Sequence, residues 1–124
     1  PLLVMRLSAI ALLLALVGAA AFGGSSPLGY LLSLVGLGAL GLAGVWTAGR
    51  KVVLLLAPKE RVGEFFGLYG ITLKLSVIGS TAFAWMDDHL GTRPAILGQA
   101  VPLLLGLALL SLVRLPAARH AAAP

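Results

Sequence analysis

There is no cysteine in this chain, so neither a disulfide framework nor a thiolate metal site is available to it. Charge is nearly as scarce. Asp, Glu, Lys and Arg together make up 10% of the residues, against about a quarter in a soluble domain. His89 and His120 stand far apart, and no metal site is expected from them. Only four residues are acidic, and none lies mid-way along an apolar run, so paired carboxylates at mid-membrane depth are excluded. No Ser–His pair sits inside an apolar run, and neither HExxH nor a phosphate-cradling glycine loop occurs. An enzyme and an ATP-driven pump are therefore not indicated, and no cofactor is expected.

What remains is apolar. Of 124 residues, 60% are hydrophobic, with a mean hydropathy of +1.06. Long apolar runs with few charges indicate an all-α membrane protein with the lipid bilayer as its main partner. A net charge of +5 raises the question of nucleic acid. The basic residues flank apolar runs and form no patch with interleaved aromatics, so orientation in a membrane accounts for them and no nucleic-acid partner is expected. The first residue is proline, not methionine, so the chain is expected to belong to a longer product. Leu2 to Ala21 is open to misreading as a signal peptide, since Arg6 precedes an apolar run and small residues follow it; the later segments need a membrane in either case.

Four spans are expected within a transmembrane region covering residues 1–116. The first, about 3–22, is mostly Leu, Ala and Val, and reads as a lipid-facing or supporting helix. Gly23-Gly24-Ser25-Ser26-Pro27 breaks it with a tight turn. The second spans about 28–48, with a helical extension to 56. Gly29, Ser33, Gly36, Ala39, Ala43, Thr47 and Arg50 recur at steps of three or four, which puts small residues on one face. Gly38, Gly41 and Gly44 widen that surface. Such a face lets another helix approach closely, or the helix bend. Trp46 reads as an interfacial anchor.

The third span, about 64–85, reads EFFGLYGITLKLSVIGSTAFAW. It is long enough to cross a bilayer and carries Lys74 near its middle. A lysine there costs roughly 2.5–3.5 kcal/mol on insertion scales, so this helix is expected to face other helices or a wet cavity. Gly67, Gly70, Lys74 and Thr81 fall near one face. Ser76, Gly79, Ser80 and Phe83 mark the next. Glu64 suits the helix N-terminus, Pro58 ends the helix before it, and Trp85 closes the segment. Asp87 to Arg93 reads as a loop in which Thr92 serves as N-cap before Pro94. The fourth span, about 94–113, holds Gln99 as its one strongly polar side chain, and Pro102 is expected to kink it. Residues 117–124 are expected to form a flexible cytoplasmic tail.

Four spans place both termini on one side. That side holds Arg6, Arg50, Lys51, Lys59, Arg61, Arg114 and Arg119; the other holds only Arg93, beside two aspartates. The positive-inside rule then makes the termini and the middle loop cytoplasmic, in the cell (inner) membrane.

With the spans placed, GEFFGLYGITLKLSVIGSTAFAWMDDHLGTRPAIL resembles the penultimate-helix region of a major facilitator branch. This is the "unknown major facilitator" family, related to the fungal vacuolar amino-acid effluxer. Glu64, Phe65, Phe66, Gly67 and Tyr69 match its pattern, as do Lys74, Ser76, Gly79, Gly91 and Arg93. Gly44 to Arg50, followed by Ala57-Pro58, resembles its glycine-rich tenth helix, the basic residue and the proline after it. Ser80 departs from the family's usual proline, and Leu73 from the glycine common before the lysine. The resemblance is strong from about Gly44 to Gly106 and weak before that. It implies that the four spans are helices nine to twelve of a twelve-helix fold, with the tenth and eleventh near a central cavity and the ninth and twelfth peripheral. The remaining amino-terminal helices would then be the chain's partners.

The leading expectation is a fragment of a secondary active transporter that moves a small solute, an amino acid among the options, by alternating access. The alternative is a small four-helix membrane scaffold or assembly partner without transport of its own. Lys74 is the first site residue. It would pair with a carboxylate on a missing helix, bind an anionic group of the solute, or merely snorkel or pair to hold helices together. Arg50 is a second candidate, for gating or for orientation alone. Tyr69, Thr72, Ser76 and Gln99 could offer hydrogen bonds to a solute. Gly36, Gly41, Gly44, Gly67, Gly70 and Gly79 are expected to pack helices.

Overall fold

The computed structural model describes residues 1–114, and the tail expected over 117–124 lies outside the described residues. Among the described residues there is no strand, and four helical stretches are long and apolar enough to cross a membrane: Leu2–Phe22, Pro27–Leu56, Lys59–Leu90 and Thr92–Leu112.

The first span is one unbroken helix, α1 (Leu2–Phe22). It stops where glycine begins. Gly23 N–H bonds the Ala19 carbonyl at 2.9 Å, and the amides of Ser25 and Ser26 close on Phe22 O. Ser26 is extended and its hydroxyl accepts from Gly29 N at 3.1 Å, an N-cap that satisfies one free amide of the next helix. Pro27 follows in the first turn, where its missing N–H is not needed.

The second span is continuous but not uniform. α2 (Pro27–Leu31) leads into a π-helical stretch, Leu32–Gly38, and then α3 (Ala39–Leu56). The widened turns correct the expectation of a plain helix. They fall where Ser33 meets Gly18: a Cβ on Gly18 would collide with the Ser33 hydroxyl. Ser33 is buried there and donates to its own Gly29 carbonyl at 2.9 Å. At the far end Ala57 is extended and Pro58 ends the helix, since a residue before proline avoids the helical region.

The third span is α4 (Val62–Leu90), entered through a short 3-10 turn at Lys59–Arg61. It runs past Trp85, so Asp87, Asp88 and His89 lie on its last turn and not in a loop. The His89 ring stacks on Trp85 at 4.7 Å and its Nδ1 contacts the Trp85 carbonyl at 2.8 Å; this local pairing carries the helix one turn further. Gly91 ends it at φ +91°, a backbone that favours glycine. Gly91, not Thr92, is also the N-cap of the next helix, and Thr92 is already helical.

The fourth span is broken in two, α5 (Thr92–Gly98) and α6 (Ala100–Leu112), with the interruption at Gln99. Pro102 explains it. It has no N–H for the Gly98 carbonyl, and its ring crowds that same group, so the break appears one turn before the proline.

The first span, expected to be a lipid-facing or supporting helix, is the hub of the described residues. Five of its residues are buried, Ser8, Ala9, Ala15, Ala19 and Ala20, and it meets both the second and fourth spans. A Cβ on Gly41 would lie 2.8 Å from the Ser8 carbonyl oxygen, and one on Gly44 would strike the Ser8 side chain. Small residues thus bring these backbones into contact, as in small-xxx-small pairs. On its other side, Ala19 and Ala20 join Ile96 in a small core edged by Leu16, Tyr30, Leu34 and Phe83. The third span, expected to face other helices or a wet cavity, has no residue buried among the described ones. It leans on the start of the fourth and touches the second at one end.

Candidate functional site

Lys74 lies near the middle of the third span and is exposed. The residues by which α4 meets its neighbours are Tyr69, Gly79, Phe83 and Met86. At 3.6 residues per turn, Lys74 lies about 120–180° around the helix from each of them. It therefore points away from the other spans. Gly67, Gly70 and Thr81 share its face, and a Cβ added to Gly67 or Gly70 would meet nothing within 4 Å. Four acidic residues occur in the chain, and the nearest along α4, Glu64, is about 15 Å away by helical rise. Glu64 is already bound, at 2.7 Å, to Arg61.

The remaining candidates divide. Thr72 donates to Leu68 O at 3.0 Å, and Ser76 to Leu73 O at 2.5 Å. Both hydroxyl protons are thus used within α4, as an apolar surrounding demands, and only lone pairs remain to offer a solute. Tyr69 reaches the second span: a Cβ on Gly49 would be 3.4 Å from its hydroxyl, while its ring meets Phe66 edge-on at 6.5 Å. Gln99 reaches back to the third span and donates to Gly79 O at 3.4 Å. The break at Gln99 thus places an amide against a glycine, where no side chain stands in the way. Arg50 is exposed, and its guanidinium lies 5.6 Å from the Trp46 ring centre, one turn back, in a cation–π contact. Among the packing glycines, Gly41 and Gly44 lie against the first span, Gly79 against Gln99, and Gly36, Gly67 and Gly70 against open space.

Two arginines carry a role that charge counting did not disclose. Arg93 Nε donates to Ala20 O at 2.7 Å. Arg6 Nη2 donates to Leu110 O at 3.3 Å and to Ser111 O at 3.2 Å. Each acceptor belongs to the last turn of a helix, whose carbonyls lack partners within the helix and carry partial negative charge. The first and fourth spans, antiparallel, thus cap each other's C-termini. The signal in the sequence is an arginine at the start of each span, set against the end of the other.

No protein-family model, curated protein or solved structure matches this chain.

Proposed function

We propose that this chain is part of a secondary transporter of the major facilitator type, moving a small solute such as an amino acid by alternating access. One observation carries the reading: a lysine at mid-span, on a helix with no buried residue, turned away from every other span described. Left in lipid, that charge costs a few kcal/mol. Its face bears glycines that leave room for a close neighbour. A lysine on an open mid-span face suits a site for an anionic group, since ionisable residues at that depth mark solute or ion paths. The motif resemblance from about Gly44 to Gly106 points the same way. In this reading Lys74 binds the solute carboxylate or a carboxylate of the facing helix, and Tyr69 and Gln99 join the third span to its neighbours.

The test is Lys74→Met in the natural polypeptide that carries this chain, with uptake and efflux measured in proteoliposomes. Transport is expected to fall to background, or to lose its driving-ion dependence, at normal membrane abundance. Unchanged transport removes Lys74 from the mechanism. We place the basic ends of the spans in the cytoplasm. A reporter in the Gly23–Ser26 turn should then be reached from outside, and its protection would overturn that orientation.

A second reading, a small membrane scaffold, is favoured by the mutual capping of the first and fourth spans, which ties the first described helix to the last. An antibody to the carboxy-terminal tail separates the two. A band at roughly three times 12.6 kDa fits twelve spans of about 20 residues with their loops. A band at 12.6 kDa fits the scaffold.

A further inference from the structure

A groove of about 350 Å³ runs between the first, second and fourth spans, walled by Met5, Ala9, Val45, Pro102, Gly106 and Val113 among others. Its wall is almost wholly apolar. Two features make it. Pro102 breaks the fourth span one turn earlier, and Gly106 leaves open the space where a side chain would stand, since a Cβ there would meet nothing within 4 Å. Along the fourth span the groove extends from Pro102 to Val113. That is about 16 Å at 1.5 Å per residue, against about 15 Å for one leaflet of a 30 Å hydrocarbon core. Pro102 is also the middle of the span Thr92–Leu112. The groove therefore reaches from the bilayer midplane to one interface, the length of one acyl chain.

The interfacial end is basic. Arg114 follows Val113 and is exposed. The Arg6 guanidinium sits on the carbonyl of Leu110, itself part of the groove wall. Arg6 Nε is buried and has no acceptor among the described residues, so its two carbonyl bonds leave the positive charge incompletely answered. An apolar slot about one leaflet long, with Arg114 next in sequence to its Val113 end and Arg6 bonded to its Leu110 wall, matches a lipid with an anionic headgroup.

We propose that this groove is a binding site for an anionic glycerophospholipid, with one acyl chain between the first and fourth spans and its phosphate at Arg114 and Arg6. The site needs the four helices to span a bilayer and this groove to face lipid; it stands whether or not the protein transports a solute.

The experiment uses the natural polypeptide in vesicles containing spin-labelled phosphatidylglycerol or phosphatidylcholine with identical chains. The motionally restricted fraction is read by electron paramagnetic resonance. Phosphatidylglycerol is expected to be restricted in preference, by about fivefold for each arginine engaged. Arg114→Gln is expected to cut that preference by about fivefold while leaving a restricted chain. Gly106→Leu has room for its side chain and is expected to abolish restriction at this site for both lipids. Equal restriction of the two lipids overturns the proposal. So does a phosphatidylglycerol preference that survives Gly106→Leu, and so does a groove that holds no lipid because a further helix covers it.

Discussion

Arg93 and Ala20 are 73 positions apart in sequence, yet the Arg93 Nε donates to the Ala20 carbonyl across 2.7 Å. That bond closes one end of the antiparallel pair formed by the first and fourth spans, and Arg6 closes the other on Leu110 and Ser111. The register of the pair is therefore held at both ends by a charge on a helix terminus. Ala20 is 4% exposed, so water competes little with Arg93 for its carbonyl.

Removing either guanidinium should loosen this pair. Arg93→Gln is expected to cost about 1.5–3 kcal/mol, the usual worth of a hydrogen bond to a charged group. Arg93→Lys should recover part of it, since the ammonium keeps the charge but not the directed Nε–H. Thermal unfolding in detergent reads both. Equal stability of wild type and Arg93→Gln would mean that the bond contributes nothing measurable.

The glycines make a sharper set, because the space around each is known. Gly41→Ala puts a methyl 2.8 Å from both the Ser8 carbonyl oxygen and Leu12 Cγ, and 3.0 Å from Leu12 N. Backbone cannot yield as a side chain does, so the first two spans must separate, at about 1–3 kcal/mol. Gly67→Ala meets nothing within 4 Å. It should leave this packing intact and gain up to about 1 kcal/mol from helix propensity. Reversed signs in an unfolding titration would contradict the close approach at Gly41.

Gly98→Ala is intermediate. Its methyl would fall 2.5 Å from Met86 Cε and 2.8 Å from Met86 Sδ. Methionine is unbranched and adapts readily, so the loss should stay below about 1 kcal/mol. Met86→Ile, branched at Cβ, should make Gly98→Ala costlier, and a double-mutant cycle measures that coupling.

Much of the architecture was legible in the sequence because lipid imposes a simple code. Apolar length gives the spans, and Gly23-Gly24 and Pro58 mark breaks that local chemistry enforces. The third span's end was read too early because Trp85 suggested an interface, whereas stacking on His89 continues the helix. The first span's role was missed for a different reason. Ser8, Ala11, Ala15 and Gly18 recur at steps of three and four, the same pattern that marked the second span. Leucines between them hid a small-residue face. Arg6 and Arg93 were counted as charges. Their use as caps depends on which helix end lies opposite, and that is tertiary information. Lys74 was legible as an anomaly, since an ionisable residue inside an apolar run stands out from its surroundings alone.

Lys74 offers the last test, because its two possible duties predict opposite results. Within this chain it touches no other span, so Lys74→Leu should leave the packing of the first, second and fourth spans unchanged to within about 0.5 kcal/mol. The same substitution removes a mid-span charge and should ease insertion of the third span by roughly 2.5–3.5 kcal/mol. Unfolding of the reconstituted chain reads the first quantity, and glycosylation mapping of span insertion reads the second. A lysine that holds these four helices together would instead make Lys74→Leu lose more than about 1 kcal/mol. Easier insertion with unchanged packing means that the lysine does not serve to hold these four helices together.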